Sequence, residues 1–139
     1  RNALGDATVS GIENIGIGDG ALRSVTSGNS NVAVGANALD ALTTASDNVA
    51  IGLAALGEHV TGSDNVAIGK NAGVNGTTGS NNTFIGSGAT GTNTPGNANV
   101  VINGALSVDN VGNSVVIGGT ASGSSGVAVG VGSAAAAEG

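Results

Sequence analysis

The sequence lacks most of the residues on which ordinary globular cores and active sites depend. Its 139 residues include no Cys, Trp, Tyr or Met, one Phe and one Pro. Without Cys, the chain can have no disulfide framework, no thiolate metal site and no thiol nucleophile. Because aromatic residues make up 1% of the chain, a conventional core of large aromatic side chains is excluded as well.

Basic residues are also scarce. Three Lys and Arg stand against nine Asp and Glu, and the net charge of −6 argues against nucleic acid and anionic membranes as partners. We interpret Arg23 and Lys70 as solvated charges on turns. No apolar run reaches the length of about 18 residues that a transmembrane helix needs, and Arg1 to Ser10 do not have the pattern of a signal peptide. Since the chain begins with Arg, we expect it to be a piece of a longer protein.

Glycine and a short apolar motif are what the chain has in excess. The 27 Gly residues do not recur at every third position, which excludes collagen. The pentapeptide Asn-Val-Ala-Ile-Gly, with variants, recurs every 17 residues from Asn14 to Asn99, and copies at shorter spacing begin at Ser114 and Gly126. A fixed period of this length indicates a repeat protein in which each unit stacks on the next.

The repeats occupy nearly the whole chain, so we predict a single domain over residues 1–139. Residues 1–13 form a partial first coil, residues 14–98 form regular 17-residue coils, and residues 99–139 form shorter, irregular coils. The Gly position of the motif is Asn103 in one copy, and residues 108–113 disrupt the period. Continuity of the stack is therefore an open question in that region.

The pattern within each unit predicts β-structure. In an extended strand, Val49 and Ile51 point to one face and Ala50 points to the other. All three are apolar, which is typical of a strand buried on both faces. We expect the following Ala-Leu segment, for example Ala55 and Leu56, to form a second strand. Because a unit is too short for two helices, we predict an all-β fold, a parallel β-roll or β-solenoid of about eight coils.

Stacked coils place equivalent residues about 4.8 Å apart. The first position of the motif is then a ladder of side-chain amides that bond to one another and need no ligand. Its members are Asn14, Asn31, Asn48, Asn65, Asn82 and Asn99.

We predict that the third position of the motif forms a contact between copies of the chain. If Val49 and Ile51 fill the coil, the third position faces outward as an apolar stripe, which monomers rarely leave bare. We therefore expect a symmetric homo-oligomer that packs on this stripe. The stripe consists of Ala33, Ala50, Ala67, Phe84, Val101, Val116 and Ala128. The alternative is that the coil is flattened and the two faces are inverted.

Groups that could perform chemistry are few. His59 is the only histidine, and its neighbour Glu58 would point away from it on a strand, so we expect no catalytic residues and no cofactor. Asp47 and Asp64 occupy equivalent positions in successive coils. A cation could bridge them, but the calcium-binding roll signature is missing, and we favour solvated carboxylates without a metal.

The NVAIG units, each followed by Ala-Leu and a Thr-Gly turn, resemble the head repeats of trimeric autotransporter adhesins, the YadA-like head, over most of residues 14–130. This resemblance implies a left-handed parallel β-roll that assembles as a homotrimer on a bacterial cell surface and attaches to host matrix, cells or glycan receptors. Similar repeats occur in phage tail fibres and other secreted trimeric fibres. The 17-residue spacing is longer than the one commoner in the family, which suggests longer turns.

We therefore expect a non-enzymatic, extracellular adhesin head. The alternative is a structural spacer or a receptor-binding segment of a phage tail fibre or other trimeric fibre. An ice-binding solenoid is a minor alternative. In a solenoid, Thr43-Thr44 and Thr77-Thr78 would stack on one another. Neighbouring residues on a strand point to opposite faces, however, so these pairs do not form the flat row of Thr side chains that ice binding requires.

Overall fold

A computed structural model of the chain describes residues 10–58, 61–75, 78–90, 97–106, 113–121, 127–130 and 134–135. Every regular element in these ranges is a short β-strand. The strands are β1 (Ile15–Ile17), β2 (Val32–Val34), β3 (Val49–Ile51), β4 (Val66–Ile68), β5 (Thr83–Ile85), β6 (Val100–Ile102), β7 (Ala105–Leu106), β8 (Val115–Ile117), β9 (Thr120–Ala121), β10 (Val127–Val129) and β11 (Ala134–Ala135).

The pentapeptide strands form one parallel sheet of eight strands in the order β1-β2-β3-β4-β5-β6-β8-β10. Their register follows the repeat, since Ala33 pairs with Ala50 and Ala50 pairs with Ala67. Each coil therefore lies directly on the next, and the predicted β-solenoid with about 17 residues per coil is confirmed. A second parallel sheet of three strands, β11-β9-β7, accompanies the later coils.

The Ala-Leu segment is a turn in the regular coils, so the prediction of a second strand there is wrong. Leu39 and Leu56 adopt φ values of 50° and 48°, in the left-handed region, and Asn37 and Ala54 do so as well. This geometry bends the chain, although the segment still bonds to its neighbouring coil, with the Leu39 N–H donating to the Ala55 carbonyl at 3.0 Å. The second sheet begins only at β7.

The position after each strand requires glycine for a steric reason. Gly52 has a φ of 136°, and a Cβ on it would lie 2.5 Å from the carbonyl oxygen of Gly69 in the next coil. Only a residue without a side chain fits both the backbone angle and the close approach of the coils. Asn103 replaces Gly in one copy with a φ of 47°, and the main sheet continues past it, because β6 pairs directly with β8.

The core lies inside the coil and is built from small residues of the strand and larger residues of the turn. The predicted outward stripe is part of this core, so its orientation was wrong: its members are 0–2% exposed within the single chain. They are Ala33, Ala50, Ala67, Phe84, Val101, Val116 and Ala128. The reason is the flatness of the coil, in which Ala50 lets the opposite turn, with the buried Leu39 and Leu56, pack directly against the strand.

Candidate assembly surface and polar ladders

The outer face of the main sheet is apolar at every position but one. Because the third motif position faces inward, the second and fourth positions face outward, as the alternating burial of each strand shows. We call this surface the Val/Ile face. It consists of Ile15, Ile17, Val32, Val34, Val49, Ile51, Val66, Ile68, Thr83, Ile85, Val100, Ile102, Val115, Ile117, Val127 and Val129. Thr83 is its only polar residue.

The Val/Ile face is long, narrow and regular. Seven spacings of about 4.8 Å between eight strands give a length of about 34 Å, and two positions along a strand span about 7 Å. Ile51 and Ile68 are each 40% exposed, and Ile17 near one end is 59% exposed. A continuous apolar surface of this kind marks an interaction site far more often than a free surface.

The predicted asparagine ladder is confirmed by the hydrogen bonds. In each step the Nδ2 of one Asn donates to the Oδ1 of the Asn one coil earlier at 2.9–3.1 Å. The same Oδ1 accepts the backbone N–H of the later Asn, as between Asn65 and Asn48 at 3.0 Å. The Nδ2 of Asn48 and of Asn65 also donates to a turn carbonyl, that of Gly62 or Gly79. The amides are therefore saturated by the fold itself.

The ladder ends at Ser114, which takes the Asn position in a coil at shorter spacing. Its backbone N–H donates to Asn99 Oδ1 at 3.0 Å. Its own Oγ is buried and has no hydrogen-bond partner among the described residues. The next copy of the motif has Gly126 at this position, so the chain supplies no side chain there to continue the ladder.

A second polar ladder was not predicted. Along the turn before each Asn, a Ser or Asn oxygen accepts the backbone N–H of the preceding coil at 2.8–3.1 Å. Its members are Asn29, Ser46, Ser63, Ser80 and Asn97. The signal was present in the sequence as a column of short polar residues two places before the Asn column.

Asp47 and Asp64 lie on this same turn edge, in equivalent positions of successive coils. Both are exposed and have φ values near 60°. The same column contains Ser30, Asn81 and Ala98 in the neighbouring coils. Among the residues that the structure describes, no three acidic or histidine side chains converge on a point where a metal ion could bind. His59 lies outside the described residues, and Glu58 and Lys70 are exposed.

The turns that follow the strands, on the edge opposite Asp47 and Asp64, contain a groove of about 420 Å³. We call it the turn groove. Its lining includes Ala54 and Gly57, with Asn37, Asp40 and Glu58 beside them. Arg23 and Val74 complete it, and the Arg23 Nη2 lies 2.8 Å from the Asp40 Oδ2 in an ion pair.

Comparisons with known proteins add no further assignment: the chain matches no protein-family model, no curated protein and no solved structure. Among the described residues, no helix is long and apolar enough to cross a membrane.

Proposed function

We propose that the chain is the β-solenoid head of a non-enzymatic, extracellular surface protein that assembles as a homotrimer and mediates attachment. The observation that carries this proposal is the Val/Ile face. An uncharged surface about 34 Å long on a chain with net charge −6 is best matched by the same surface of another copy.

The dimensions of the Val/Ile face favour a shared axis. Each copy offers a strip only two side chains wide, and three such strips can meet along one line, each contacting the other two. Full burial of an Ile side chain contributes about 1.5–3 kcal/mol, so the exposed two-fifths of Ile51 or Ile68 would contribute about 1 kcal/mol each in the assembly. The threefold symmetry itself comes from the resemblance to YadA-like heads.

A charge placed on the Val/Ile face tests the assembly. In Ile68→Asp, a carboxylate would have to be buried against apolar side chains, at a cost of several kcal/mol. We expect the native mass to fall from that of the trimer to that of the single chain. The matched control is Thr44→Asp, which adds the same charge at an exposed turn position and leaves the Val/Ile face intact. Equal masses for both variants would contradict the assignment of this face.

Attachment is tested separately, with the labelled protein applied in solution to surfaces coated with matrix proteins or cells. The head proposal predicts retention that is lost in Ile68→Asp, because many weak contacts across copies are needed.

A structural spacer is the second candidate, and the unbroken register of the main sheet from β1 to β10 favours it. A stable trimer without retention on any surface would support the spacer, in a cell-surface or phage tail fibre, over the head.

A further inference from the structure

The turn groove exists because the repeat is interrupted at one column. Position by position along the stack, this column contains Arg23, Asp40, Gly57 and Val74. Three of the four coils present a side chain there, whereas Gly57 presents none and is itself buried. The coil between Asp40 and Val74 is therefore recessed, and the groove of about 420 Å³ lies over it.

The groove offers hydrogen-bond donors, acceptors and an apolar wall together. Arg23 supplies donors, Asp40 and Glu58 supply acceptors, and the Asn37 amide supplies both. Ala54 and Val74 add apolar surface. The ion pair between Arg23 and Asp40, at 2.8 Å, fixes two of these groups relative to each other before any ligand arrives.

We propose that the turn groove binds a neutral sugar ring. A sugar presents neighbouring hydroxyls that both donate and accept, which is what a rim of guanidinium, carboxylate and amide groups can satisfy, and its C–H face can lie on Ala54 and Val74. The groove is large enough for one or two sugar residues. This assignment rests on the proposed attachment function and names the class of ligand for it.

The charges of the groove select against the other ligand classes. Arg23 contributes +1 and Asp40 and Glu58 contribute −2, so the groove has a net charge of −1. An anionic sugar or a phosphate would be repelled by Glu58, for which no hydrogen bond or ion pair is found among the described residues. A lysine side chain would meet the half-exposed guanidinium of Arg23.

The test is a titration of the isotope-labelled protein, followed by amide NMR, with methyl glucoside, methyl galactoside, methyl mannoside and N-acetylglucosamine. N-acetylneuraminic acid and a capped Gly-Lys-Gly peptide serve as anionic and cationic probes. We expect at least one neutral sugar to produce saturable shifts at the amides of Asn37, Ala54 and Glu58, with half-saturation at about 1–10 mM, as a single small site would give.

Three variants locate the binding. Glu58→Gln should weaken it at least about threefold, because a charged acceptor is lost. Gly57→Val fills the recess with the residue that the next coil has at Val74. Its Cβ would lie 3.2 Å from the Ala54 carbonyl oxygen and 3.3 Å from that of Asn37, so the turn must shift slightly to admit it. The variant should abolish binding, and a far-UV circular dichroism spectrum and urea midpoint like those of the parent establish that it is folded. Asp47→Asn removes a carboxylate from the opposite turn edge and should leave binding unchanged.

The inference is overturned if no neutral sugar saturates, if the acidic sugar or the lysine peptide binds more tightly than every neutral sugar, or if binding survives in folded Gly57→Val. Its failure is separable from that of the proposed function. A trimer that adheres to surfaces but does not bind sugars would contradict only the proposal for the turn groove. A monomer that binds sugar in the groove would contradict only the proposed assembly.

Discussion

Phe84 and Gly73 are a matched pair of exceptions in the repeat, and they yield the sharpest prediction about its core. Phe84 replaces the Ala of the strand column, and Gly73 replaces the Leu of the turn column. A Cβ on Gly73 would lie 2.8 Å from the Phe84 ring and 2.7 Å from Leu56 Cδ2. The Phe84 side chain is 1% exposed and occupies the volume that a leucine would otherwise fill.

Each single change should destabilise the solenoid. Phe84→Ala removes a buried ring and leaves a cavity, at a cost of about 3–5 kcal/mol. Gly73→Leu forces a side chain against that ring and places a non-glycine residue at a φ of 63°, which together should cost about 2–4 kcal/mol.

The double variant should recover most of the loss. Gly73→Leu with Phe84→Ala recreates the pair formed by Leu56 and Ala67 one coil earlier, and Leu56 already adopts a φ of 48°. We expect its stability within about 1 kcal/mol of the parent chain, which corresponds to a coupling energy of at least about 4 kcal/mol, above the range of about 0.5–3 kcal/mol that is usual for contacting residues. Urea denaturation followed by circular dichroism, at one fixed protein concentration, measures all four chains. If the double variant loses the sum of the two single losses, the packing described for this pair is wrong.

Three further changes test the turn edges and the ladder. Ala54→Gly should raise stability by about 1 kcal/mol, since Ala54 has a φ of 53° that costs an alanine more than a glycine; an unchanged urea midpoint would contradict the strain argument. Asn65→Ala should cost about 3–5 kcal/mol, because the Asn82 N–H and Nδ2 lose the buried Asn65 Oδ1 as acceptor and the Gly79 carbonyl loses the Asn65 Nδ2 as donor; a loss under about 1 kcal/mol would show that the ladder contributes little. Asp47→Asn should stabilise by a few tenths of a kcal/mol at low salt by removing repulsion from Asp64, and a gain that persists undiminished in 1 M salt would have another cause.

The repeat and its ladder could be predicted because identical chemistry recurs at identical spacing. In a stack of coils, Asn residues 17 apart lie directly above one another, so their side-chain amides can bond in a ladder. The hydrogen bonds from Asn14 to Asn99 form this ladder. The recurrence of Gly could be predicted as well. Its cause, the close approach of the next coil at Gly52 and Gly69, could not be predicted from the sequence.

The orientation of the strand could not be predicted in the same way. Val49, Ala50 and Ile51 are all apolar, so the alternation that normally separates the inner from the outer face is absent. The small residues of the third position admit the opposite wall of the same coil and do not face a second copy of the chain. The left-handed conformation of Leu39 and Leu56 was hidden as well, because leucine gives no signal of a turn.

The native mass of the protein in solution, by native mass spectrometry or light scattering, tests the central claim most directly. The proposed trimer, packed through the Val/Ile face, would have a mass near three times 12.8 kDa for the parent chain, falling to a single 12.8 kDa in Ile68→Asp. A parent chain that remains at 12.8 kDa at micromolar concentration would show that this surface stays exposed, and it would contradict the account of the chain as a trimeric head.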